Sequence, residues 1–90
     1  MKQHLSIKIF GRVQMVTFRY SSREKARELD LSGFARNEPD NGVYIEVEGE
    51  EENLKKFLAW CRKGPAWARV EKIIIDESEL KNFNQFTIEY

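Results

Sequence analysis

Apolar residues in this chain keep two spacings, and the order in which the spacings alternate leaves few folds open. Leu5, Ile7 and Ile9 alternate with His4, Ser6 and Lys8, the period of two expected of a strand with one buried face. From about Phe18 to Asp30 the spacing becomes helical. Phe18, Ser22, Ala26 and Leu29 share one face, and Arg23, Glu24, Lys25, Arg27 and Glu28 cover a wet one. Period two then returns. Gly33 follows the helix, Phe34 to Asn37 extend, Pro39 to Gly42 carry turn chemistry, and Val43, Ile45 and Val47 alternate with Tyr44, Glu46 and Glu48, which predicts a hairpin. After Gly49, Leu54, Phe57, Leu58 and Cys61 mark a second helix ending near Lys63-Gly64-Pro65. Val70 to Asp76 reads as a strand, and Phe86, Ile88 and Tyr90 as a short last one after the polar segment ESELKNFN.

The order is βαββαβ with a terminal β. Each helix then joins two parallel strands with a place left between them, which puts the second and fourth strands at opposite ends. The fold class expected is α+β: a ferredoxin-like sandwich with an antiparallel sheet, both helices on one face, and a short extra C-terminal strand. Ninety residues suit a single domain over 1–90, and a hydrophobic share of 41% is enough for a core without metal or disulfide staples.

This topology hosts many functions, RNA recognition among them. Fifteen basic residues balance fifteen acidic ones, so no overall field draws the chain to nucleic acid or to an anionic membrane. The aromatic run of RNA-recognition modules is also missing. The N-terminus, MKQHLSIKIF, alternates too strictly to be a signal peptide or a membrane span. Cys61 is the only cysteine, which excludes an intrachain disulfide and favours a reducing compartment, the cytoplasm. It lies on the apolar face of the second helix and is expected in the core. His4, alone in a strand, is not expected to bind metal, and the acidic run from Glu46 to Glu52 reads as a solvated turn and helix start.

The stretch GRVQMVTFRY, residues 11–20, sits between the first strand and the first helix. The opening N–H groups of a helix lack internal partners, and its dipole favours negative charge there. If residues 13–18 curl so that successive N–H groups converge, they form a nest for a phosphate or carboxylate, and Arg19 can close on the same anion. An exposed arginine that is merely solvated is the plainer alternative.

This stretch resembles the acylphosphatase loop, which usually reads GRVQGVGFR or GKVQGVFFR; Gly11, Arg12, Val13, Gln14, Val16, Phe18 and Arg19 match. Leu31 to Asn37 is similar to the family's L-x-G-x-V-R-N. Its D-G turn follows at Asp40 to Gly42 with Asn41 inserted, and Gly64-Pro65 with Ala68 and Val70 resembles its G-P-x-x-A-x-V. The resemblance implies hydrolysis of acyl phosphates to a carboxylate and inorganic phosphate, with no metal or cofactor; the small-molecule acyl phosphate is the expected partner, and the chain is expected to be a monomer. It implies that Arg19 binds the phosphate with the loop amides of Gln14, Met15, Val16, Thr17 and Phe18, and that Asn37 orients the attacking water. Arg12 and Arg36 are left to salt bridges or the rim. Trp67 is placed at the entrance, Trp60 at a helix edge, and the carboxylate of Tyr90 beside Arg19 when the site is empty.

Met15 stands where the family has glycine. A methionine at positive φ costs roughly 1–2 kcal/mol, and its side chain has the reach to fill the pocket. That substitution motivates the alternative reading, an anion-binding or regulatory module with weak or no turnover.

Overall fold

The computed structural model describes residues 1–90. The elements run β1 (Lys2–Arg12), α1 (Phe18–Glu28), β2 (Ser32–Asn37), β3 (Val43–Glu50), α2 (Glu51–Lys63), β4 (Arg69–Ser78) and β5 (Phe86–Glu89). The sheet order is β4-β1-β3-β2-β5. The first four strands pair antiparallel, and β5 adds itself parallel to β2, so the complete sheet is mixed rather than purely antiparallel. No helix is long and apolar enough to cross a membrane.

Alternation decides which face is buried. Leu5, Ile7 and Ile9 of β1 lie opposite Val47, Ile45 and Val43 of β3, and all six join Phe18 and Ala26 of α1 and Leu54, Phe57 and Cys61 of α2 in one core. Ser22 faces the same core, where its hydroxyl donates to the Phe18 carbonyl at 2.7 Å and so is not left unsatisfied. Cys61 is fully buried, and burial pushes its thiol pKa up. Of the three consecutive isoleucines in β4, Ile73 and Ile75 pack on the core and Ile74 turns outward. Trp60 packs on Phe18 and Phe57 with ring centroids at 5.4 and 5.9 Å.

The first helix stops earlier than its periodicity suggests. Asp30, at φ 56°, provides the left-handed turn after it, and Gly33 is already inside β2. Gly33 has another reason to be glycine: at φ 144° a Cβ would stand 1.9 Å from the Glu46 carbonyl oxygen of the neighbouring strand. In the hairpin turn the inserted Asn41 takes φ 71°, and the Asp40 carboxylate accepts from the Gly42 N–H at 3.0 Å.

The outer face of the sheet departs from expectation. Glu46 and Glu48 do alternate away from the helices, yet both are buried, because residues 79–85 fold back across them. His4 lies fully buried between the two carboxylates, Nδ1 2.9 Å from Glu48 and Nε2 2.9 Å from Glu46. Lys81 reaches Glu46 at 2.8 Å, the Lys81 and Phe83 N–H groups donate to Glu48 at 2.8 and 2.7 Å, and the Phe83 ring covers His4. Burial pushes both carboxyls up, and these hydrogen bonds outweigh it, holding them below the usual carboxylate range. Alternation separates the two faces of a sheet; it is blind to a distant segment that covers one of them.

Candidate active site

β1 ends at a bulge. The register against β4 shifts between Phe10 and Gly11, where Gly11 at φ 130° passes so near β4 that a Cβ would lie 2.0 Å from the Arg69 carbonyl oxygen. The chain leaves the sheet at Val13, whose buried side chain anchors the start of the loop as Phe18 anchors its end. Between these anchors, Met15 (φ 60°) and Thr17 (φ 62°) both adopt the left-handed conformation.

The loop delivers an uncapped helix. Thr17 occupies the N-cap position of α1 in left-handed geometry without a side-chain cap, and its hydroxyl donates to the Val16 carbonyl instead. No acidic residue sits in the first turn. The opening N–H groups of α1 and the positive end of its dipole are therefore not compensated from within the helix, which favours an external anion.

A cavity of about 190 Å³ opens at this place, lined from the loop by Val13, Met15 and Thr17 and from α1 by Phe18, Arg19, Tyr20 and Arg23. Asn37 enters from the end of β2, and Ile88 and Tyr90 from β5 and the residue after it. At about 30 Å³ per water molecule the space corresponds to roughly six waters. Arg19 and Asn37, eighteen positions apart in sequence numbering (37 − 19), thus line one cavity.

Arg19 Nη1 donates to the Glu89 carbonyl at 2.9 Å, and its guanidinium lies over the Tyr90 ring at 4.8 Å. The expected pairing with the carboxylate of Tyr90 is replaced by these two contacts. One guanidinium nitrogen is occupied this way, and the remaining donors of a five-donor group are left for a ligand. Gln14 has a different duty from its neighbours: its side-chain amide donates to the Glu38 and Gly42 carbonyls, both at 2.9 Å, tying the loop to the β2–β3 turn. Only its backbone N–H is then available to a ligand. Val16 packs partly on the core.

The Met15 side chain is 100% exposed. It borders the cavity without filling it, and the backbone retains the positive φ that glycine would supply. Arg36 is engaged with Glu38 at 3.1 Å and with the rings of Phe34 and Tyr44, and neither it nor Arg12 lines the cavity. Trp67, expected at the entrance, is 84% exposed and outside the lining. Aromatic walls come instead from Tyr20 and Tyr90. Sequence reading missed Tyr20, Arg23 and Ile88. Arg23 was legible as the residue one helical turn beyond Arg19, whereas Ile88 arrives only because β5 docks beside β2.

The chain is similar to known proteins in sequence and in fold. The family model described as Acylphosphatase matches residues 5–88. An acylphosphatase of Archaeoglobus fulgidus is 42% identical over 86 residues, 96% of this chain and 97% of its own length. One of Acaryochloris marina is 44% identical over 80 residues, 89% of this chain and 86% of its own. The crystal structure of acylphosphatase from Bacillus subtilis superposes over 100% of both chains with a TM-score of 0.94 at 35% identity. The family model and these full-length likenesses show that the chain belongs to the acylphosphatase family.

Proposed function

We propose that this chain hydrolyses acyl phosphates to a carboxylate and inorganic phosphate, without metal. The observation that carries the reading is the meeting of an uncapped helix N-terminus, Arg19 and Asn37 in one small cavity. In this reading the phosphoryl group sits on the backbone N–H groups of Met15 to Arg19, with Gln14 holding the loop from behind. The Arg19 guanidinium donates to a phosphoryl oxygen. Charge on the transferring group is thereby met by preorganised donors rather than by mobile water.

Asn37 holds the nucleophile. Its side-chain oxygen accepts from a water molecule and turns the water's lone pair toward phosphorus, opposite the acyl oxygen. The water oxygen bonds to phosphorus, the bond from phosphorus to the acyl oxygen breaks, and its electron pair leaves with the carboxylate. The water's proton passes to phosphate or solvent. A carboxylate is a good leaving group, so positioning and charge stabilisation suffice and no general acid is required.

The alternative, an anion-binding module silenced by Met15, is disfavoured by the exposed side chain and the retained positive φ at that residue. The reading also has the chain working as a monomer, one domain over residues 1–90, on small molecules in the cytoplasm.

Benzoyl phosphate hydrolysis tests it with Arg19→Ala and Asn37→Ala, each checked for folding by circular dichroism. Losing a preorganised donor costs on the order of 10²–10³ in rate. Asn37→Ala is expected to lower kcat, and Arg19→Ala to raise KM as well. Folded variants that turn over at the wild-type rate would remove the mechanism.

A further inference from the structure

The mechanism uses one arginine of α1, and the cavity has two. Arg23 follows Arg19 by four residues, so it stands on the same face of the helix about 6 Å farther along the axis. Both line the cavity. A phosphoryl group seated on the loop reaches Arg19; only the far end of a substrate's acyl group can reach Arg23.

The state of Arg23 is unusual for a guanidinium so placed. Its Nε is buried without a hydrogen-bond partner, and its side chain is only 28% exposed. The Glu24 carboxylate approaches Nε to 3.5 Å, a charge contact rather than a hydrogen bond, and is itself half in solvent. The guanidinium is steadied against the Tyr20 ring, 5.2 Å from its centroid. Tyr20 also lines the cavity. Arg19 has a backbone carbonyl in hand, whereas Arg23 has no comparable acceptor.

Resting on the acylphosphatase reading, we propose that Arg23 is a specificity-determining residue that selects acyl phosphates bearing a second anionic group, a carboxylate or phosphate, at the far end of the acyl chain. An anion there competes with the exposed Glu24 for the guanidinium and accepts charge-assisted hydrogen bonds from its terminal nitrogens, the buried Nε being out of a ligand's reach. It also relieves the repulsion between two arginines one turn apart. Ile88 supplies an apolar wall for the intervening carbons. A neutral acyl chain of the same length makes no use of the second charge.

The test compares succinyl phosphate, which ends in a carboxylate, with butyryl phosphate, which has the same four carbons and no second charge. A phosphate-ended acyl phosphate forms a third arm and shows which anion is preferred. Wild type is expected to have the higher kcat/KM on the doubly anionic substrates. Arg23→Gln is expected to lower the succinyl-to-butyryl ratio by about tenfold or more, the scale of one hydrogen bond to a charged group. The change should fall mainly in KM and shrink at high salt, and Arg23→Lys should restore part of it. A purely structural role would lower both substrates together and leave the ratio unmoved. An active wild type with a ratio near one, or a ratio unaltered by Arg23→Gln, would overturn the assignment of Arg23 alone. A wild type inert on every substrate would overturn the acylphosphatase reading and this assignment with it.

Discussion

Replacing Met15 by glycine isolates the residue that stands in place of the loop glycine of the acylphosphatase pattern. The native backbone there is left-handed, φ 60°, and the side chain is wholly in solvent, so the substitution removes strain and no packing. A non-glycine residue in this conformation costs roughly 1–2 kcal/mol. Glycine gives back about 0.5–1 kcal/mol through the greater freedom of its unfolded chain. The net expectation for Met15→Gly is a stabilisation between about 0 and 1.5 kcal/mol. For a domain of this length each kcal/mol corresponds to about 4–8 °C in Tm. Turnover should change less than about tenfold, because the loop amides keep their directions when the torsions do not move. Guanidinium unfolding monitored by tryptophan fluorescence gives the first quantity, and benzoyl phosphate hydrolysis the second. A gain of about a hundredfold or more in kcat would refute the reasoning, since that is the size of recovering a lost preorganised donor. It would mean that Met15 holds a loop peptide away from the phosphate. A clear loss of stability would refute the other half, showing that Met15 makes a contact that the glycine lacks.

Gln14→Ala removes the two hydrogen bonds that tie the loop to the β2–β3 turn, while the Glu38 and Gly42 carbonyls keep their backbone donors, the Asn41 and Glu38 N–H groups. The expected cost is about 1–2 kcal/mol in denaturant unfolding, with a rise in KM for the acyl phosphate because a looser loop presents its amides less well. Stability and KM both unchanged would show that the tie has no role. The buried carboxylates set an acid limit. Glu46 and Glu48 are held below the usual carboxylate range in the folded state, so their contribution is present at neutral pH and lost as pH falls below about 4.5 through their lowered folded values. Glu48→Gln should cost about 1–3 kcal/mol at pH 7 and flatten the loss of stability on acidification. An unfolding midpoint in denaturant that falls as steeply with acid in the variant as in wild type would place the acid sensitivity elsewhere.

Local chemistry made much of this protein readable in advance. The periods of two and 3.6 gave both helices and strands β1, β3 and β5, since each reports one face turned to a core, while β2 and β4 were legible from their flanking turns and a run of isoleucines. Turn residues at Pro39 to Gly42 and the stop at Gly64 marked the joints. Strand ends were harder to read: β1 and β4 run several residues beyond their alternating apolar cores, because the two strands continue pairing through polar residues such as Arg12 with Arg69 and His4 with Ser78. The acidic run was misjudged at Glu46 and Glu48 for a different reason. Their surroundings come from residues more than thirty positions later in the chain, and no local pattern encodes that meeting.

The candidate site divides along the same line. The sequence by itself determined the strand–loop–helix junction, the arginine at its helix start, the asparagine at a strand end and the odd methionine between them. These depend on neighbours within a few residues, where torsion and hydrogen bonding are local. Tertiary structure alone decided that Arg19 would lean on Glu89 and Tyr90, that Ile88 would wall its cavity, and that Trp67 would stay outside. The contacts of Arg19 and the wall made by Ile88 follow from β5 docking parallel to β2 at the edge of the sheet. That docking joins parts of the chain some fifty residues apart, Ala35 with Ile88 among them, and only the packing of the whole sheet selects it.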